Sequence, residues 1–318
     1  MRAYVFALAA MVALAGCHRE QKRVIAVIPK GNVTQYWQSV HAGAIKAARE
    51  LNVDIAWNGT ASETDYSGQL QIADSMINRR VDALALAPID RKAMVGVVER
   101  AAREKIPVII FDSAIDTDRF VSQVATDNYH AGELAADRVG ELLQGKGQVA
   151  IVKAVPGGAS TMQREAGFTT RLGASFPGIH VVAEQFGWAD YAKSLAATEN
   201  ILTAHPDLNA IFASNESSTV GAARALRGRR TTVKLVGFDW TPVLEAELQE
   251  GVVDSLVVQD PFRMGYETVR SAVAHLNGQT VPKIQNLEPK LVNRGNMNSP
   301  EVRARIKPDL KKYLEIGQ

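Results

Sequence analysis

The chain has 318 residues, enough for two domains of ordinary size. Its 36 basic and 34 acidic residues leave a formal net charge of +2, which excludes the basic excess of a nucleic-acid binder. A single cysteine excludes internal disulfides and cysteine-held metal clusters.

That cysteine closes the first element of the chain. Arg2 precedes an apolar run over residues 3–14, and Leu14-Ala15-Gly16-Cys17 follows. A short positive start, a short apolar stretch and small residues predict a secretory signal over 1–16, too short to span a bilayer permanently. Leu-Ala-Gly-Cys resembles a bacterial lipobox, which implies cleavage before Cys17, lipidation of Cys17 and a polar tether over 17–22. An ordinary cleaved signal with an incidental cysteine is the plainer alternative. On the lipobox reading the mature chain is exported to the periplasm or cell surface and anchored to a membrane. Loss of Arg2, the one charge in 1–16, would lower its net charge from +2 to +1. No later apolar run reaches spanning length.

From Arg23 onward, short apolar runs alternate with amphipathic stretches. Residues 24–28, 53–57, 83–87 and 107–111 read as strands, apolar enough to be covered on both faces. Between the first two, Trp37, Val40, Ala44, Ala48 and Leu51 recur at helical spacing. After Thr126-Asp127-Asn128 a second set follows, over 149–152, 180–183, 208–213 and 233–238. Strands start roughly every 25–31 residues in both sets, so two lobes of similar topology are expected. A ninth strand over 252–258 runs into Gln259-Asp260-Pro261, and a helix starts near Phe262 and Met264. Residues 287–292 read as one last strand, and the charged tail from Ser299 as peripheral. The fold class is α/β, with two Rossmann-like lobes, each a doubly wound parallel sheet.

The fourth strand of each set ends alike, in Ile109-Ile110-Phe111-Asp112 and Val236-Gly237-Phe238-Asp239. Ligands of open α/β sheets bind beyond the carboxyl ends of the strands, so facing lobes would aim Asp112 and Asp239 at one cleft. Helix capping is the structural alternative for each.

The order of short motifs resembles the periplasmic ribose-type binding proteins, a family that shares its fold with lactose-repressor-like effector domains. The likeness covers roughly residues 23–295. It rests on Val27-Ile28-Pro29 with Tyr36-Trp37, Leu86-Ala87-Pro88, Ile106-Pro107-Val108 and Ala125-Thr126-Asp127-Asn128. Further on it rests on Arg164-Glu165-Ala166-Gly167-Phe168, on residues 202–207, on Ser214-Asn215-Glu216 and on Val236-Gly237-Phe238-Asp239. The resemblance implies three crossovers, near Asp127, Asp260 and Glu288, which form a three-strand hinge. The N-terminal lobe is then 23–127 plus 260–288, and the C-terminal lobe 128–259 plus 289–318. It also implies capture of a sugar or related polyol by hinge closure and delivery by a monomer to an ABC-type permease.

Carried over residue by residue, the resemblance implies Asp112, Asp239, Arg164, Asn215 and Gln259 as polar ligand contacts, with Tyr36 and Trp37 as stacking aromatics. The chemistry suits a sugar: carboxylates accept from hydroxyls, a guanidinium donates in a fork, amides do both, and aromatic faces cover C–H faces. This chain departs from the family in the loop 30–35, where Lys30 stands as a further candidate contact. It departs again near 189, where Ala189 replaces the expected aromatic and Trp188 and Tyr191 flank it. Ribose itself is therefore not implied, and Trp188 joins the candidates.

Ser160 and Thr161 read as caps of the helix that carries Arg164. Arg164 opposes the macrodipole there, so a partner or ligand must hold it. Glu216 either caps its own helix or meets the ligand. The six histidines show no metal-ligand spacing, and no cofactor is expected. Residues 29–32 match neither a dinucleotide fingerprint nor a P-loop, and no nucleophile elbow is present. Two alternatives stay open: a sensor presenting its ligand to a membrane receptor or kinase, and a glycosidase using Asp112 and Asp239.

Overall fold

A computed structural model describes residues 22–314, so the leader and Cys17 lie outside the described residues. In chain order, β1 (Val24–Ile28), β2 (Asp54–Trp57), β3 (Ala83–Leu86), β4 (Val108–Phe111) and β5 (Ser122–Thr126) lie in one sheet. A second sheet holds β6 (Lys146–Lys153), β7 (Gly178–Phe186), β8 (Ala210–Ala213), β9 (Lys234–Phe238) and β10 (Ser255–Val258). Then β11 (Ile284–Leu287) returns to the first sheet and β12 (Lys290–Asn293) to the second. The orders are β2-β1-β3-β4-β5-β11 and β7-β6-β8-β9-β10-β12. All ladders are parallel except that of β10 and β12.

The connections carry α1 (Gln35–Leu51), α2 (Tyr66–Asn78), α3 (Val95–Arg103), α4 (Asn128–Leu142) and α5 (Ala159–Ser175). They continue with α6 (Tyr191–Ala204), α7 (Glu216–Arg229), α8 (Pro242–Glu250), α9 (Pro261–Leu276) and α10 (Pro300–Ile306). Helices cover both faces of each sheet, so every residue of β3, β4, β8 and β10 is buried. That is why β3, β4 and β8 read as unbroken apolar runs. Two apolar clusters flank the first sheet and two flank the second. Among the described residues, no helix is long and apolar enough to cross a membrane.

Three expectations need correction. The single strand expected over 287–292 is two strands, β11 and β12, in different sheets, with the chain crossing between lobes at 288–289. Strand β5 was not anticipated, because polar Ser122 and Gln123 interrupt its apolar signal. The tail is not peripheral. Val302 and Ile306 of α10 enter the core of the second lobe, and the turn over Leu310–Lys312 reaches the first lobe. There Arg49 of α1 donates to the carbonyls of Lys312 and Tyr313 at 3.0 and 3.3 Å.

Each lobe is held together beside the hinge by a pair of helices that touch through reciprocal glycines. A Cβ on Gly43 would sit 1.9 Å from the Phe262 carbonyl oxygen, and one on Gly265 1.9 Å from that of Val40. In the second lobe a Cβ on Gly132 would sit 2.0 Å from the Arg164 oxygen, and one on Gly167 2.1 Å from that of Tyr129. These contacts are backbone to backbone, so neither side can yield by turning a side chain. Gly132→Ala should therefore cost about 1–3 kcal/mol and lower the melting temperature by roughly 3–10 °C. A melting curve within a degree of wild type would refute the close crossing.

Candidate functional site

The carboxyl ends of β4 and β9 place Asp112 and Asp239 with φ of 61° and 70°. Aspartate tolerates this left-handed conformation better than most side chains. Both carboxylates turn into the cleft between the sheets, and neither caps the helix that follows it. Asp239 Oδ2 instead accepts from the Glu216 N–H, at the start of α7, at 3.0 Å. Its Oδ1 accepts from Gln259 Nε2 at 2.7 Å, and Gln259 Oε1 accepts from Thr126 Oγ1 at 2.7 Å. This chain of bonds ties the ends of β5, β9 and β10 together at the hinge.

Asp112 is gripped from the first lobe. Tyr36 donates its hydroxyl to Oδ1 at 2.7 Å, and Lys30 Nζ lies 2.6 Å from Oδ2. Oδ2 receives the lysine's charge but no aligned hydrogen bond among the described residues. Burial, with the Asp112 charge second, holds the Tyr36 phenol well above its ordinary pKa, so it stays a donor. Arg164 donates to Asn128 Oδ1 at 2.8 Å and to the Ser214 carbonyl at 3.0 Å, and its guanidinium lies 3.9 Å above the Phe238 ring. Those partners hold the cation that the helix dipole disfavours.

Further bonds cross the cleft. Lys30 donates to Ser160 Oγ at 3.1 Å, and Tyr36 N–H donates to Glu216 Oε2 at 3.2 Å. Ser113 Oγ accepts from the Ser160 N–H at 2.9 Å. The last bond corrects the capping expected of Ser160. Gly158 is the N-cap of α5 and offers no side chain, so a serine from the opposite lobe satisfies an exposed amide. Glu216 is not a cap either. Asn215 caps α7 through the Ser218 N–H, while Glu216 accepts from Tyr191 OH at 2.6 Å and from Tyr36. Burial pushes the Glu216 carboxyl up to about 7.

Lys30, Tyr36, Trp37, Asp112, Arg164, Asn215, Asp239 and Gln259 line one cavity of about 390 Å³, part of it open to solvent. Trp37 is also a core residue, packed edge-on to Phe111, with its Nε1 donating to Glu63 Oε1 at 2.8 Å. Trp188 is not brought to this cavity. It is 42% exposed, with its ring centroid 5.8 Å from that of Phe186. Sequence reasoning missed Glu63, which lines the cavity from an irregular segment before α2 and whose carboxyl burial pushes up. No periodicity marks that residue; only the Trp37 indole nitrogen, which needs an acceptor when buried, points to a partner of its kind. Among the described residues, no group of three or more His, Cys, Asp or Glu side chains could hold a metal ion.

The periplasmic binding protein domain model matches residues 25–280. The chain belongs to that family. Among its relatives, the D-ribose/D-allose-binding protein of Pseudomonas aeruginosa is 31% identical over 287 residues, covering 86% of this chain and 89% of the relative. The ribose import binding protein of Escherichia coli is 28% identical over 284 residues, covering 89% and 95%. The solute-binding protein of an Agrobacterium radiobacter carbohydrate transporter, solved with D-arabinose, superposes with a TM-score of 0.88 at 32% identity. It covers 90% of this chain and 99% of that one. The family's two-lobed architecture is the one described above, with a six-stranded sheet in each lobe.

Proposed function

We propose that this chain captures a monosaccharide or related polyol between its lobes and, as a monomer, delivers it to an ABC-type importer. One observation carries the reading. Acceptors and donors from both lobes converge on a single cavity, and each is oriented by a partner of its own. Such an array suits vicinal hydroxyls, each both donor and acceptor, better than a flat aromatic or an extended peptide. The sugar-binding and import roles named for the relatives support it. Binding is favoured over glycoside hydrolysis because Asp112 and Asp239 are each engaged by protein donors rather than poised toward a leaving group.

A thermal-shift screen of residues 22–318 against pentoses, hexoses, inositols and sugar phosphates tests it. A ligand at a hundred times its dissociation constant adds about 2.7 kcal/mol of stability. One stereospecific hit, lost in Asp112→Ala and Arg164→Ala, is the expected result. A flat panel on folded protein would sink the sugar reading.

The same proposal places the protein outside the cytoplasm on a lipid tether at Cys17. Detergent-extracted protein from an expressing cell should start at Cys17 and carry the added mass of a diacylglyceryl group. An unmodified mature chain in the soluble fraction would count against the anchor.

A further inference from the structure

The charges facing the cavity do not balance. Two cations, Lys30 and Arg164, meet four carboxylates, Glu63, Asp112, Glu216 and Asp239. Lys30 pairs with Asp112, and the Arg164 charge acts on Asp239. Glu63 accepts from the Trp37 indole and shares the Lys30 charge with Asp112, while Glu216 is left with neutral donors, the Tyr191 hydroxyl and the Tyr36 amide. Neutral donors satisfy lone pairs but leave the charge uncompensated, which is costly in a buried site. The N-terminus of α7 offsets part of the Glu216 charge. Its carboxyl is nonetheless pushed up by burial, with the charges of Asp239 and Glu63 adding to the effect. Within the same cavity, Asp112 is only 4% exposed, and its Oδ2 receives no aligned hydrogen bond among the described residues. The acidic groups do not converge on a metal site. What is missing is a cation that also carries hydroxyls.

We propose that the preferred ligand is an amino sugar, its ammonium held by Glu63 and Glu216 while its hydroxyls engage Asp112, Arg164 and Asp239. The ammonium supplies three donors and one positive charge to a site whose four carboxylates share two cations. This rests on the sugar-binding reading above and narrows its substrate class.

Calorimetric titration with D-glucosamine, D-galactosamine and D-mannosamine tests it, each beside its parent hexose, its N-acetyl derivative and the neutral pentoses. The pH is set where the amines are protonated. At least one amino sugar should bind about tenfold tighter, or more, than every neutral compound. Glu63→Gln and Glu216→Gln should each shrink that preference. If a neutral sugar binds as tightly as the amino sugars, or tighter, the charge argument is overturned while the sugar reading stands. If no sugar of either kind binds, both fall.

Discussion

Replacing Asp239 with alanine should weaken sugar binding by roughly 30-fold to several thousandfold. Asp239 is the point where three elements meet: the end of β9, the α7 N-terminus through Glu216 N–H, and the hinge through Gln259. Removing its carboxylate deprives a sugar hydroxyl of its acceptor and leaves two buried donors unpaired. It also leaves Arg164 without the charge that faces it. Burying a donor or a charge with no partner accounts for the size of the effect. Asp239→Asn separates the contributions, because it keeps the shape and an acceptor oxygen but removes the charge. Calorimetric affinity within threefold of wild type for both variants would remove Asp239 from the site.

A second large effect concerns pH, with the protein free of sugar. The Glu216 carboxyl is raised by burial from 4.5 to about 7 in the folded chain. Between those values the folded state holds a proton that the unfolded state has released, so stability falls as pH rises through the interval. The loss amounts to about 3 kcal/mol by pH 8. His41, stacked on Trp57 and lowered by burial to about 4, acts in the opposite sense between about 4 and 6.5. The slope of wild type alone therefore mixes these two with Glu63, Glu165 and Asp239, whose carboxyls burial also pushes up. The difference between Glu216→Gln and wild type isolates the glutamate: the variant should gain relative stability as pH rises from about 4.5 to 8. Urea unfolding across that range measures it. A constant difference would show that the carboxylate is solvated after all, and would remove one support of the charge imbalance.

The architecture was legible wherever burial wrote itself into composition. Strands β1, β3, β4, β8 and β9 are covered on both faces and read as apolar runs, and their recurrence revealed the second lobe. β5 was not legible, because Ser122 and Gln123 serve the sheet edge: Ser122 Oγ donates to the Pro282 carbonyl and accepts from Gln285. The break between β11 and β12 was hidden for another reason. The switch from one sheet to the other takes two residues and leaves no mark on hydropathy. In the site, Asp112 and Asp239 were legible because a polar residue ending a buried strand has few other uses. Ser113 and Glu63 were not. Their roles exist only after folding, when one meets a helix start in the opposite lobe and the other meets a buried indole.

The late return of the chain to both sheets has a consequence for how the molecule is made. The first sheet lacks its edge until β11 pairs with β5, and the second until β12 pairs with β10. Helix α1, near the start, waits for α9 to supply the backbone against which Gly43 packs. At about 5–20 residues per second, roughly 10–50 s separate the synthesis of β1 from that of β11. Through that interval the nascent chain holds long-range partners apart and has no finished lobe to lock in place. The same ten residues, Ile284 to Asn293, complete both sheets. A protein exported to the periplasm, as proposed above, is well served by withholding them until last.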